Sequence, residues 1–223
     1  MPLSIQCLSF CFLLVTCCPL IPMQAIFGKG MGKYHFNLVP FLRATLIYYI
    51  FALGGIFLLS PQLKLPLEDI KGKTLLIGLI LSMLVLLIEV AFLHGLHCWQ
   101  KRQWIPLNLS FVGTTQKWSE IFYPLFIAFC EELTYRFLWF QILLFQWHMP
   151  ILVVLLISSF CYALNHLLMG KSIFYAKLLT GLIYGSIYYI TGQLWLVVMA
   201  HVGGNLLVEC LSRLQTKVKK VVE

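Results

Sequence analysis

Charged side chains are scarce in this sequence of 223 residues. They make up 11% of it, against about a quarter in soluble globular domains, while 61% of the residues are hydrophobic. So few polar side chains cannot cover the surface of a water-soluble fold. Intrinsic disorder is excluded as well, because disordered chains are poor in hydrophobic residues. We therefore expect an all-α fold, a polytopic bundle of transmembrane helices in the lipid bilayer.

Motifs that mark several membrane hydrolases are also missing. An aspartyl enzyme needs two membrane aspartates, and this chain has a single aspartate, Asp69, in a predicted loop. Neither the GxSG string of a serine intramembrane protease nor the HExxH string of a zinc protease occurs. These absences exclude three hydrolytic mechanisms that membrane proteases use.

Basic residues and cysteines indicate neither nucleic-acid binding nor disulfides. The net charge is +8, but the lysines and arginines are scattered over short connections rather than gathered in a stripe. We therefore expect no nucleic-acid partner. The eight cysteines lie in or beside apolar segments and form no CxxC pair, which is typical of packing residues.

Seven apolar segments have about the length of 20 residues that a membrane helix needs. They cover residues 3–27, 41–59, 74–96, 119–145, 150–169, 173–190 and 194–211. No connection is long enough to separate two domains, so we expect one continuous membrane domain. Within it, residues 1–118 hold segments without a motif, residues 119–211 hold the polar clusters described below, and residues 212–223 form a basic tail.

Lysine and arginine counts predict the orientation of this domain. The connections after the first, third and fifth segments, together with the tail, hold ten, whereas the opposite connections hold three. Because basic residues concentrate on the cytoplasmic side, we expect a multi-pass protein with a cytoplasmic C-terminus. No basic residue precedes the first segment, which favours a retained helix over a signal peptide.

The fourth segment carries three charged residues near its middle, Glu131, Glu132 and Arg136. Ionisable residues in a bilayer are costly and mark candidate functional sites. On a helix, Glu132 and Arg136 share a face and can pair, whereas Glu131 is rotated away by about 100°. Arg136 would neutralise one carboxylate and leave the other available. The alternative is a buried ion pair that only locks helices together.

The fifth and seventh segments each present a polar pair with helical spacing. Tyr162 and His166 are four residues apart, as are His201 and Asn205, so each pair can lie on one helix face. Gly203 and Gly204 let a second helix approach the latter pair closely. Each pair alone could be a hydrogen bond between helices. Together with the carboxylates, they supply a base, two imidazoles and an amide.

The order and spacing of these residues resemble the CPBP family of glutamic-type intramembrane proteases, which comprises CAAX proteases and bacteriocin-processing (Abi) enzymes. The motifs are Glu-Glu-x-x-x-Arg, aromatic-x-x-x-His and His-x-x-x-Asn, within residues 131–205. One departure is Tyr162, where the family usually has Phe. The resemblance implies an intramembrane endopeptidase of the CAAX type, or a myxosortase-like enzyme that processes C-terminal sorting signals. Its substrate would be a membrane-associated or lipid-modified protein or peptide, and its location a prokaryotic inner membrane.

The resemblance also implies a division of roles. Peptide hydrolysis needs an activated water, stabilisation of the oxyanion and a proton for the leaving amine. The catalytic residues would be Glu131 as general base, His166 as a second contact to the water, and His201 and Asn205 as donors to the oxyanion. The supporting residues would be Glu132, Arg136 and Tyr162. The choice of Glu131 over Glu132 comes from the family pattern and not from spacing.

Zinc is the alternative to a metal-free mechanism, because Glu131, His166 and His201 form a ligand set known from catalytic zinc sites. We favour the metal-free mechanism and expect no cofactor. Two other functions stay open: a transporter component whose buried glutamates and histidines carry protons or ions, and a non-catalytic immunity or scaffold protein of the same fold. No inverted repeat supports a transporter.

Charges outside the motifs also lie within apolar segments. We expect Glu89 to pair with a polar group on a neighbouring helix. Lys177 and Glu209 lie nearer helix ends, and we expect their side chains to extend towards the membrane surface.

Overall fold

The computed structural model describes residues 3–28, 37–66, 71–107, 117 and 120–222, with side chains through residue 215. These residues contain helices and no β-strand, which confirms the predicted all-α class. The α-helices are α1 Leu3–Thr16, α2 Leu20–Phe27, α3 Leu38–Leu59, α4 Gly72–Lys101, α5 Phe122–Glu132, α6 Ile151–Leu164, α7 Lys171–Thr191 and α8 Leu194–Val222. Asp69 and the predicted boundary at residues 118–119 lie outside the described residues.

The number of membrane spans differs from the seven that the sequence predicts. Within the described ranges, four helices are long and apolar enough to cross a membrane: α3, α4, α7 and the Leu194–Gln215 part of α8. Helices α1 and α2 meet at an angle of 42°, so this pair can form a fifth, broken span. The helical membrane bundle is confirmed, but the count of about seven spans is not.

Two predicted segments account for most of the difference. Helix α6 has 14 residues, which rise about 21 Å and do not cross a hydrocarbon core of about 30 Å. It ends at Leu164, so His166 lies beyond the helix on which the sequence placed it. The fourth segment is helical over residues 122–146, as α5 and the π-helical turns that follow it, and it is not among the candidate spans.

Two stretches of π-helix, Leu133–Leu138 and Gln141–Gln146, continue α5. In this winding a backbone N–H bonds the carbonyl five residues earlier, as the N–H of Trp139 does with Thr134. Such turns are rare and are frequent at functional sites. The first stretch begins directly after the two glutamates and contains Arg136, whose side chain is completely enclosed.

Close helix contacts draw the motif-bearing helices together. Helix α8 packs along α4, where a Cβ on Gly203 would lie 3.0 Å from the Ser82 hydroxyl oxygen. Helix α7 packs along α6, where a Cβ on Gly181 would lie 3.1 Å from the Cβ of Ser159. The prediction that Gly203 permits a close approach is confirmed. Both contacts need a residue without a side chain, since a methyl group would press on the facing serine.

The two ends of the chain extend this bundle. Helix α8 continues without a break through most of the predicted tail and ends at Val222. At the other end, α1 packs against the segment that follows α5, where the indole Nε1 of Trp139 donates to the Thr16 hydroxyl at 3.0 Å. The N-terminal helices are therefore packed directly on the part of the chain that carries the motifs.

Candidate active site

A cavity of about 670 Å³ lies inside the bundle, between α4, α5, the end of α6, α7 and α8. Its wall is mainly apolar, and its polar lining includes all four residues that the sequence proposed as catalytic. These are Glu131, His166, His201 and Asn205. The three motifs, which are far apart in the sequence, thus face one common space of a size typical of ligand-binding pockets.

Glu132 and Arg136 form the ion pair that their spacing predicts. Arg136 Nε lies 3.1 Å from Glu132 Oε2, and both side chains are fully enclosed. Arg136 also donates from Nη2 to the carbonyl of Gly181 on α7, at 3.3 Å. Its guanidinium lies 4.6 Å from the ring centroid of Tyr162 and 5.6 Å from that of Tyr184, a cation–π arrangement. The arginine charge is therefore satisfied from several sides.

His201 joins this pair to the cavity. Its Nδ1 lies 2.7 Å from Glu132 Oε1, within a short hydrogen bond. We assign the Nδ1 proton to this bond because the carboxylate can only accept. The other ring nitrogen, Nε2, lies 3.4 Å from the Tyr162 hydroxyl and 3.9 Å from Glu131 Oε2. Tyr184 stacks on the imidazole with centroids 5.2 Å apart, so the ring is fixed in position and Nε2 faces Glu131.

Glu131 is buried but far less occupied than Glu132. Its Oε2 is 3.9 Å from His201 Nε2, too far for a direct hydrogen bond. Its Oε1 is buried and has no hydrogen-bond partner among the described residues. Buried polar atoms are almost always hydrogen-bonded. A carboxylate oxygen of this kind, in the wall of a cavity, is suited to accept a hydrogen bond from a molecule inside it.

His166 lies in the turn after α6, not on the helix itself. Its Nδ1 is 3.3 Å from the carbonyl of Tyr162, and its ring meets the Tyr162 ring edge-on with centroids 5.3 Å apart. Because a carbonyl oxygen can only accept, Nδ1 carries the proton in this contact and Nε2 keeps its lone pair. The two residues are therefore in contact, through the Tyr162 carbonyl and through their rings, although His166 lies beyond the end of the helix.

Asn205 lies on α8, one turn after His201. Its Nδ2 donates to the carbonyl of Pro124 on α5 at 3.4 Å. An amide group has two N–H donors, so this bond fixes the side chain while leaving the second N–H for the cavity. The pair thus lies on one face of α8, as its spacing predicts.

Asn165 belongs to none of the sequence motifs, but it fixes the turn that carries His166. Its Nδ2 donates to the Tyr135 hydroxyl at 2.8 Å, and its Oδ1 accepts from the backbone N–H of Leu20 at 3.2 Å. Tyr135 in turn donates to the carbonyl of Cys17 at 2.8 Å. The position of Asn165 next to a candidate histidine in an apolar segment could have indicated its role. Nothing in the sequence distinguished Tyr184 from the other tyrosines.

A second ion pair lies in the same cavity. Lys177 Nζ on α7 is 2.7 Å from Glu89 Oε1 on α4, and both residues line the cavity. The expectation that Glu89 pairs with a neighbouring helix is confirmed. The expectation that Lys177 extends to the membrane surface is wrong, because its ammonium group is drawn inwards by Glu89.

Metal-ligating side chains do not converge anywhere in the described part of the chain. No group of three or more His, Cys, Asp or Glu residues there has an arrangement that could hold a metal ion. The hypothetical zinc set of Glu131, His166 and His201 does not form such a group.

The fold and the site define an integral membrane protein with an enclosed acid–imidazole centre. Residues 113–207 match the family described as type II CAAX prenyl endopeptidase Rce1-like. This range contains every motif residue, and the match confirms the resemblance to the CPBP/CAAX proteases for this part of the chain. The family is one of proteases, which supports peptidase activity at the family level. Neither a curated protein nor a solved structure matches the chain.

Proposed function

We propose that the protein is an intramembrane endopeptidase in which Glu131 activates a water molecule for attack on a peptide bond. The strongest support is the position of Glu131, which lines the cavity with one oxygen unpartnered while His166, His201 and Asn205 face the same space. A peptidase site needs a base beside donors that can stabilise an oxyanion. The cavity brings these groups together within the bundle.

In this mechanism the water binds between Glu131 and His166. Glu131 takes a proton from the water through Oε1, and His166 accepts the second hydrogen bond at Nε2. The proton taken by Glu131 is later given to the leaving amine, so that a single carboxyl group serves as base and then as acid. Removal of the site from bulk water strengthens each of these interactions.

His201 and Asn205 stabilise the negative oxygen that develops on the substrate carbonyl. Asn205 donates through the amide N–H that Pro124 does not use. Because the Nδ1 proton of His201 is held by Glu132, His201 donates through Nε2 as the imidazolium, whose positive charge Glu132 balances. Glu132 holds His201 by Nδ1, and Arg136 holds Glu132, so the donors are fixed before the substrate binds. Such fixed donors commonly account for about 10²–10³-fold in kcat each.

The substrate in this proposal is a protein or peptide that reaches the cavity from the membrane, through a lipid modification or an apolar segment. The family match supports a membrane-associated substrate, and the mainly apolar wall of the cavity suits one. A CAAX-type substrate is the first choice, and a C-terminal sorting signal is the second. A prokaryotic inner membrane and a cytoplasmic C-terminus belong to the same hypothesis.

The experiment is a cleavage assay with the purified protein in lipid nanodiscs. A farnesylated peptide ending in a CAAX sequence and an unmodified transmembrane peptide with a C-terminal sorting signal serve as substrates. We expect Glu131→Gln to lower kcat by about 10²–10⁴-fold, the usual contribution of a general base. Glu120→Gln, which changes a glutamate outside the cavity, is the matched control. Full activity of a folded Glu131→Gln protein would refute this assignment.

A further inference from the structure

Lys177 is the only lysine or arginine among the described residues that line the cavity. It lies six residues after the start of α7, about 9 Å along the helix axis at 1.5 Å per residue. A lysine inside a membrane bundle is costly and marks a functional site by default. It lines the same cavity as Glu131, His166 and His201. Lys177 therefore belongs to the electrostatic surroundings of the candidate site without being part of the motifs.

The Glu89–Lys177 pair differs from the enclosed Glu132–Arg136 pair. Its atoms are closer, at 2.7 Å, yet the side chains of Lys177 and Glu89 remain 19% and 17% exposed towards the cavity. An ammonium group has three donors, and Glu89 Oε1 takes one of them. The pair is consequently open to a third partner, and Glu89 keeps the ammonium group inside the bundle when no such partner is bound.

The charges of the cavity restrict which ligand group Lys177 can accept. Its other charged lining residues, Glu89, Glu131 and Glu209, are all acidic. An anionic group beside Glu131 would be repelled by its carboxylate, because like charges at short range are unfavourable, whereas beside Lys177 the charge of Glu89 is offset by the ammonium group. A carboxylate that enters this cavity is therefore directed to Lys177.

We propose that Lys177 binds a carboxylate of the substrate peptide, either its C-terminal carboxylate or an acidic side chain. This inference rests on the proposed function, since it assigns a specificity-determining residue to the same cavity. Because the carboxylate is held at Lys177 while the scissile bond lies at Glu131, the spacing between the two fixes where along the peptide the cut falls. Glu89 is the positioning residue that aims the ammonium group.

The test measures binding, so that it does not depend on turnover. Labelled peptides are titrated against the Glu131→Gln protein in nanodiscs, using a farnesylated CAAX peptide with a free C-terminus and the same peptide amidated. A third peptide keeps the free C-terminus but has each acidic side chain replaced by its amide. A charge-assisted hydrogen bond predicts that loss of the recognised carboxylate weakens Kd by about ten- to hundredfold.

The variants separate recognition from structure. Lys177→Met should bind the free, amidated and amide-substituted peptides equally, whereas Lys177→Arg should retain the discrimination. The double variant Lys177→Met with Glu89→Gln removes both charges and leaves no uncompensated carboxylate, which keeps the test valid if the single variant does not fold. Lys171→Met is the matched control, because Lys171 is an exposed lysine on the same helix that does not line the cavity.

Each outcome decides the proposal. Weaker binding of the amidated peptide identifies the C-terminal carboxylate, and weaker binding of the amide-substituted peptide identifies an acidic side chain. Equal Kd values for all three peptides, no binding by any of them, or unchanged discrimination in Lys177→Met would overturn it. If Glu131→Gln cleaves as fast as the wild type but peptide binding depends on Lys177, the proposed function fails and the carboxylate site stands. If Glu131→Gln does not cleave but the peptides bind equally well, the proposed function stands and the carboxylate site fails.

Discussion

Replacing Arg136 by methionine should strongly destabilise the protein. The substitution keeps an unbranched apolar side chain but leaves Glu132, which is 0% exposed, without its cation. Breaking a buried ion pair by removing one partner costs about 3–5 kcal/mol. The same substitution also removes the hydrogen bond from Nη2 to the Gly181 carbonyl and the contact with the Tyr162 ring.

This loss corresponds to a large shift in thermal stability. For a chain of this size, 1 kcal/mol shifts Tm by about 2–4 °C, so Arg136→Met should lower Tm by about 6–20 °C. The assay is thermal unfolding of the purified protein in one detergent, followed by tryptophan fluorescence. Activity should be lost as well, because Glu132 would no longer be held where it fixes His201.

The double variant Arg136→Met with Glu132→Gln provides the decisive comparison. It removes both charges, and the glutamine carbonyl can still accept the hydrogen bond from His201 Nδ1. Replacing a whole buried pair by neutral groups is often close to neutral in stability. The double variant should therefore be more stable than Arg136→Met, with a coupling energy of about 2–4 kcal/mol. Additive effects of the two substitutions would refute the argument that an uncompensated buried charge is the cause.

The Glu89–Lys177 pair tests whether burial or distance determines this cost. Its atoms are closer than those of the Arg136 pair, at 2.7 Å against 3.1 Å, but its side chains are partly exposed. Lys177→Met also leaves a carboxylate without its cation, but that of Glu89 is partly exposed, which makes the unpaired charge less costly than an enclosed one. Lys177→Met should therefore lower Tm by less than Arg136→Met does. A shift as large as that of Arg136→Met would mean that distance, not burial, dominates.

Three further outcomes follow from the same geometry. Asn205→Leu, which is of similar size but has no N–H donor and adds no charge, should lower kcat by about 10²–10³-fold; unchanged kcat would exclude Asn205 as an oxyanion donor. Gly181→Ala should cost about 1–3 kcal/mol by overpacking against Ser159, whereas Gly54→Ala, with no atom within 4 Å of the added methyl group, should not destabilise the protein. Cleavage should persist after dialysis against EDTA and 1,10-phenanthroline; loss of cleavage that zinc restores would overturn the metal-free mechanism.

Local spacing predicted the parts of the site whose residues lie four positions apart in the sequence. Glu132 and Arg136 pair across one turn, and His201 and Asn205 share a face of α8. In each case the relevant geometry is set within four residues of the chain. Composition was equally sufficient for the helical class, since a lipid environment requires the backbone to satisfy its own hydrogen bonds.

Contacts between distant residues set the features that the sequence did not reveal. The turn at His166 is held by Asn165, whose partners Leu20 and Tyr135 come from other parts of the chain. The hydropathy of a segment depends only on its own residues, so it cannot show where contacts with other segments end a helix. For this reason the sequence predicted α6 to be longer than it is. The inward direction of Lys177 likewise depends on Glu89 on a neighbouring helix, and no spacing within α7 indicates it.

The two adjacent glutamates illustrate how structure adds to the family pattern. Spacing alone left open which of them could act as the base. The contacts of Glu132 occupy both of its oxygens: Oε2 lies against Arg136 and Oε1 binds His201. Glu131, rotated to face the cavity, keeps Oε1 unpartnered. Glu132 is fully enclosed and does not line the cavity, so neither of its oxygens can contact a water molecule bound there. The difference in surroundings thus favours Glu131 as the base and Glu132 as the residue that positions His201, independently of any resemblance.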